Sequence, residues 1–196
     1  MQDLIKQAFD DAAVTLAKFQ ADERNYERLE ALAKAMVKTY ESGGKILICG
    51  NGGSMCDALH FAEELTGRFR KNRRPLPAMA LGEATHTTCV GNDFGFEEIF
   101  ARGVEAFGKP EDILIGLSTS GNSANIIRAV EEAENLGLTT VLFSGKSGGK
   151  LQGRCDFEWV VPSNSSDRIQ EVHMMCLHIV IEILERHLFP ENYQGE

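Results

Sequence analysis

Apolar positions along the chain change their period several times, and each change marks a new element. Between residues 3 and 20, Leu4, Ile5, Ala8, Phe9, Ala12, Leu16 and Phe19 recur at helical spacing and predict an amphipathic helix with one broad apolar face. A second helix is expected over 22–41, with Leu29, Leu32, Ala33, Met36, Val37 and Tyr40 inward and Gly43 and Gly44 closing it. The pattern then contracts to short continuous runs, which read as buried strands: Ile46 to Cys49, Ala78 to Leu81, Asp112 to Ser118, Thr139 to Phe143 and Phe157 to Val161. Helical stretches separate them, with Asp57 to Glu64, Thr85 to Val90, Phe96 to Phe107, Ala124 to Leu136 and Asp167 to Leu188 as the candidates. Gly91 to Gly95 reads as a polar loop, and the basic run Arg68 to Pro75 as a solvated loop or an anion-facing rim.

Strands alternating with helices predict an α/β domain with a central, doubly wound parallel sheet, which binds ligands at the carboxyl ends of its strands. Residues 1–196 are expected to form one such domain. The two leading helices are extra to it, and they either cover the core or carry an oligomer contact.

Composition narrows the classes. A net charge of −9 argues against a general nucleic-acid coat or an anionic membrane surface. No run of about 18 apolar residues is present, so no membrane span is expected, and the first residues lack the apolar core of a signal peptide. The five cysteines, Cys49, Cys56, Cys89, Cys155 and Cys176, are odd in number and form no C-x-x-C pair. Reduced thiols in a cytoplasm are expected, each a small core residue.

Two loops carry the candidate chemistry. Gly50-Asn51-Gly52-Gly53-Ser54 follows the first apolar run and Ser118-Thr119-Ser120-Gly121-Asn122-Ser123 a later one. Neither matches a Walker A loop nor G-x-G-x-x-G. Backbone amides with the hydroxyls of Ser54, Ser118, Thr119, Ser120 and Ser123 suit a phosphate monoester, although the second loop alone also suits turn and cap chemistry. His60 and Glu64 share a helix face, one turn after Asp57, an arrangement that surface helices also carry. The terminal helix adds Asp167, Gln170, His173 and His178. Its core stripe is Ile169, Val172, Cys176, Ile179, Val180 and Ile183, with His178 at the edge as an acid or ligand. His173 and His187 are expected to be surface or packing residues.

Five motifs in order carry a resemblance: Cys49 to Ser54, His60 to Arg68, Val90 to Phe96, Ser118 to Asn125 and Asp167 to His173. Over nearly the whole chain they resemble the bacterial phosphoheptose isomerase family. The resemblance implies a flavodoxin-like sugar isomerase (SIS) fold and a cytoplasmic homotetramer with active sites between subunits. It implies conversion of sedoheptulose 7-phosphate to D-glycero-D-manno-heptose 7-phosphate, at the start of heptose supply for lipopolysaccharide. It further implies that Asn51, Gly52, Gly53, Ser54, Asn92, Asp93, Asp167 and Gln170 meet substrate, that Ser118, Thr119, Ser120 and Ser123 cradle its phosphate, that Glu64 is the base and His178 the acid, and that His60, Glu64, Gln170 and His178 bind one zinc ion per subunit. A non-catalytic branch of the fold binds the bacterial replication initiator. The ending His187 to Pro190 is similar to that branch, whereas Glu64 with His60 and His178 favours the enzyme. A sugar-phosphate sensor without turnover is the third reading.

Gln170 and His178 are eight residues apart, about 12 Å along one straight helix. Either the terminal helix starts after Gln170 or different subunits supply the two side chains; the second is expected, with the site half in each subunit.

Overall fold

The computed structural model describes residues 1–195. Helices α1 (Gln2–Gln20) and α2 (Arg24–Glu41) precede the first strand. The chain then runs through β1 (Ile46–Gly50), α3 (Gly53–Thr66), β2 (Ala78–Ala80), α4 (Ala84–Asp93), α5 (Ala101–Phe107), β3 (Ile113–Ser118) and α6 (Ala124–Leu136). It ends with β4 (Thr139–Gly145), β5 (Phe157–Val161), α7 (Ser166–Leu188) and a 3₁₀ turn at Pro190–Tyr193. The five strands pair in parallel in the order β2-β1-β3-β4-β5, the flavodoxin-like arrangement.

Alternate strand side chains point to opposite faces. Ile46, Ile48, Ile113, Ile115, Val141 and Phe143 pack under α2, α3 and α7. Leu47, Cys49, Leu114 and Leu142 pack under α4, α5 and α6. This gives the three-layer α/β fold expected from the sequence, the leading helices lying outside the basic wind. Trp159 is a packing residue: its ring stacks on Phe143 at 4.7 Å and its indole N–H donates to the Asn25 carbonyl.

Several local expectations are corrected. Residues 91–93 are helical, because the Glu83 carboxylate caps α4 at Thr85 and His86 and the Phe94 amide bonds to Val90 O at its far end. The helix expected from Phe96 to Phe107 is broken into a 3₁₀ turn at Phe96–Glu98 and a short α5. Cys56 and Cys89 are exposed on helix surfaces, whereas Cys49 and Cys176 are core residues. Ile179 is 40% exposed, and Leu4, Ile5 and Phe9 of α1 face outward. The basic run is not wholly solvated, since Arg73 is buried against Glu185 at 2.7 Å.

His173 is completely buried, as a packing residue. Its Nε2 donates to the Ser144 carbonyl at 2.9 Å and its Nδ1 has no partner. Burial lowers its pKa from 6.5 to about 4. The unfolded chain therefore takes up this proton first as pH falls, so the stability that neutral His173 contributes is lost between 6.5 and about 4. Denaturant unfolding should show His173→Gln losing about 3 kcal/mol less than the parent over that window. Parallel pH dependences of the two proteins would refute this.

Candidate active site

Two loops flank the point where the strand order reverses, between β1 and β3. Gly52 adopts φ 56 and starts α3, and a Cβ on Gly53 would lie 2.8 Å from the Gln170 amide. Asn51 and Asn125 exchange two amide hydrogen bonds of 2.8 Å, which lock the first loop to the start of α6. In the second loop Ser118 Oγ accepts from the Gly121 amide at 3.1 Å and lies 3.3 Å from Ser123 Oγ. Thr119 Oγ1 stands 3.3 Å from Ser166 Oγ at the start of α7, and Ser120 Oγ accepts from the Asn122 amide. Gly121 is held at φ 63 with its missing Cβ 1.8 Å from Gly148 O, so no side chain fits there. The amino ends of α3, α6 and α7 thus gather around hydroxyl-rich loops, a setting that favours a phosphate.

Gln170 donates to Ser54 Oγ at 3.2 Å and belongs to this end of the molecule. Asp167 accepts from Ser165 and Arg168 in the first turn of α7, and the Ser165 contact, then that with the Arg168 amide, holds its carboxyl below the usual range. Asn92 and Asp93 bond to each other at 2.7 Å; among the described residues neither is hydrogen-bonded to the two loops.

The titratable cluster lies elsewhere. His60 Nε2 is 3.2 Å from Glu64 Oε1, and the His178 ring meets the His60 ring edge-on at 5.0 Å. Phe69 stacks on the other side of His178 at 5.7 Å. Burial, and then the neighbouring His60, lowers the His178 pKa, so its neutral imidazole keeps one donor and one acceptor. Asp57 has a buried Oδ2 without a partner, and burial raises its pKa.

The four expected zinc ligands separate into three and one. α7 is continuous from Ser166 to Leu188, so the first explanation for the Gln170–His178 spacing fails. Glu64 and His178 of the same chain meet, which counts against drawing the α3 half and the α7 half of the site from different subunits. Donor atoms of His60, Glu64 and His178 all lie within 4.8 Å of one another. A tetrahedral zinc with bonds near 2.1 Å spaces its ligands by about 3.4 Å, close to the His60–Glu64 separation. Two imidazoles and a carboxylate are also a catalytic zinc set with one position left open. These residues fit such an ion. Gln170 stays with Ser54, ten residues and about 15 Å along α3 from Glu64.

The two loops therefore lie at the amino end of α3, and His60 and Glu64 in its second half, beside His178.

A family model for the SIS domain matches residues 9–145. A phosphoheptose isomerase from Fusobacterium nucleatum is 56% identical over 181 residues, covering 92% of this chain and 93% of its own. The chain belongs to the phosphoheptose isomerase family. Among solved structures, a phosphoheptose isomerase from Francisella tularensis superposes with a TM-score of 0.90 at 40% identity, covering 94% of this chain and 98% of that one. The one from Neisseria gonorrhoeae gives 0.88 at 34% identity with the same coverage. Against this family background Asn125 and Arg73 are the residues that sequence reasoning passed over. Asn125 is a polar residue at an inward helix position; Arg73 lay hidden in a run of like charges.

Gly121→Ala should lower stability by about 2 kcal/mol or more, because the strained φ and the Gly148 contact must both be relieved. Thermal unfolding measures the loss, and calorimetric titration with inorganic phosphate should show weakened binding. Parent-like values in both would mean that the loop is more pliant than its geometry indicates.

Proposed function

We propose that the chain interconverts sedoheptulose 7-phosphate and D-glycero-D-manno-heptose 7-phosphate through an enediolate. The observation that carries this reading is the cluster of His60, Glu64 and His178 in a chain of the phosphoheptose isomerase family. Glu64 takes a proton from C1 while His178 gives one to the C2 carbonyl oxygen. His178 then recovers a proton from the C1 hydroxyl, and Glu64 returns its own to C2. The 118–123 loop and the amides at Gly52 and Gly53 hold the phosphate and fix the distance to the reacting carbons. The heptose product would enter lipopolysaccharide synthesis.

One zinc ion per subunit would be held by His60, Glu64 and His178, with any fourth protein ligand, such as a Gln170, coming from another subunit. When bound, the ion supplies a Lewis acid for the carbonyl oxygen. Glu64 keeps a second carboxylate oxygen and His178 a second ring nitrogen for the proton transfers.

The complete site would lie between subunits of a homotetramer, one chain giving the phosphate loops and another the acid–base cluster. The separation of the two along α3 supports this. So do the exposed apolar side chains of the 1–42 helical pair and the 190 Å³ apolar groove between α1, α2 and α7, lined by Leu16, Tyr26, Met175 and Ile179. A cytoplasmic location agrees with five free cysteines and with the lack, among the described residues, of any helix long and apolar enough to cross a membrane. Beyond the ending His187 to Pro190, no observation favours the replication-linked interaction protein.

Purified protein should convert sedoheptulose 7-phosphate, and Glu64→Gln should lose about 10²–10⁴-fold in kcat. A parent that binds the sugar phosphate without turnover would support the sensor instead. Dialysis against a chelator should remove zinc in step with activity, and added zinc should restore both; full activity in metal-free protein would exclude the metal's role. A second test addresses the shared site. Glu64→Gln and Thr119→Val/Ser120→Ala proteins, each inactive alone, should regain activity when co-assembled, since some sites then draw both halves from intact copies. Absence of recovery in verified mixed oligomers would place the whole site within one chain.

A further inference from the structure

The base Glu64 occupies an insecure place: the last turn of α3, where carbonyls have no partner within the helix and fraying begins. Gly67, which follows, does not take the left-handed conformation that commonly closes a helix. Arg73 supplies the closure. Its Nη2 donates to the Glu64 carbonyl at 2.7 Å, and its Nη1 to Leu65 O at 2.8 Å, with Gly67 O at 3.3 Å. Its Nε donates to Glu185 Oε1 at 2.7 Å, and both side chains are 1% exposed. Glu185 lies on α7 seven residues, or two turns, beyond His178 and so on the same face. The other Glu185 oxygen accepts from Tyr193 Oη at 2.7 Å, in the C-terminal 3₁₀ turn. Burial, together with the Glu185 contact, pushes the Tyr193 phenol up to about 12, which keeps it a donor.

We propose that Arg73, held by Glu185 and Tyr193, is a positioning residue that fixes the Glu64 turn of α3 against the His178 stretch of α7 and so sets the spacing of the acid–base pair. The proposal rests on the isomerase reading for its kinetic consequence, but not for its geometry. A buried ion pair is a poor source of stability, since apolar replacement of both partners is often neutral or better. What an apolar pair cannot reproduce is a planar fork that bonds two helices at once. Arg73 touches neither phosphate loop, so its loss should act on turnover and leave substrate binding in place.

The test is a variant that removes the network together, Arg73→Met/Glu185→Leu/Tyr193→Phe. Thermal unfolding should stay within about 5 °C of the parent, because Leu65 O keeps the Leu76 amide and the Glu64 carbonyl is the main one to lose its partner. Its kcat should fall about 10- to 100-fold with KM changed less than about threefold, the signature of misplaced reacting groups. The imidazole resonances of His60 and His178 should move while those of His86, on the other sheet face, stay fixed. Arg73→Lys, which keeps the charge but loses the fork, should not restore kcat. If the combined variant fails to fold, Tyr193→Phe alone should give the same changes in smaller measure. Parent-like kcat in folded variant, a loss confined to KM, or unmoved His60 and His178 resonances would overturn the proposal. A parent without turnover would sink the isomerase reading, and the imidazole spectra would still decide the role of Arg73.

Discussion

The arrangement depends above all on α3 lying alongside α7 in parallel register on one face of the sheet. Each helix follows a strand of the same parallel sheet, so both run back in the same direction. Three contacts mark the register. Ser54 meets Gln170 near the amino ends, His60 and Glu64 meet His178 further along, and Glu185 reaches the end of α3 through Arg73. The buried stripe of α7, including Ile169, Val172, Leu177 and Val180, supplies the adhesion, and the polar contacts specify the alignment. A slip of one helical turn would move His178 by about 5 Å and dissolve the cluster.

That same register separates the two loops from the His60, Glu64 and His178 cluster. Helix amino ends collect phosphate because their unpaired amides and dipoles point there. Acid–base groups, the part proposed for His178, need the reverse setting, a partly dry pocket away from phosphate charge, and His178 is half-buried against Phe69. On the proposed reading α3 would carry both, the loop at its amino end and the cluster in its second half. The length of α3 then decides how far apart they are, whatever the side chains do locally.

Much of the fold could be read from the sequence because its cause is local. Fully apolar runs such as Ile46 to Cys49 and Ile113 to Ile115 can only be buried strands in a sheet covered on both faces. The two loops were also readable, since glycine and hydroxyl residues after such runs have few other uses. Three things were not. Residues 91–93 looked like a loop because two glycines bracket the segment at 91 and 95, yet a Glu83 cap and tertiary packing extend α4 through the first of them. The basic run looked like surface because its charges are consecutive; that one of them meets a carboxylate 112 residues away is a tertiary fact. The third was where the site divides: the length argument set Gln170 apart from His178, but did not show that Glu64 stays with His178. The 12 Å spacing separates Gln170 from His178, and it is Gln170 that stays behind with Ser54.

The proposed sharing of the site between chains would also account for the exposed apolar surface. Leu4, Ile5 and Phe9 on α1, with Met175 and Ile179 on α7, stay uncovered by the chain itself. A sheet already covered on both faces has no further use for such a helix, and exposing its apolar side carries a solubility cost. A second copy held at fixed orientation would cover this surface and, on the proposed reading, would bring one chain's loops to another's His60, Glu64 and His178. Symmetric association lets one adhesive surface complete several sites at once, because each copy lends one half and receives the other. On this view α1 is as much part of the catalytic apparatus as α3, although it contributes none of the His60, Glu64 and His178 cluster.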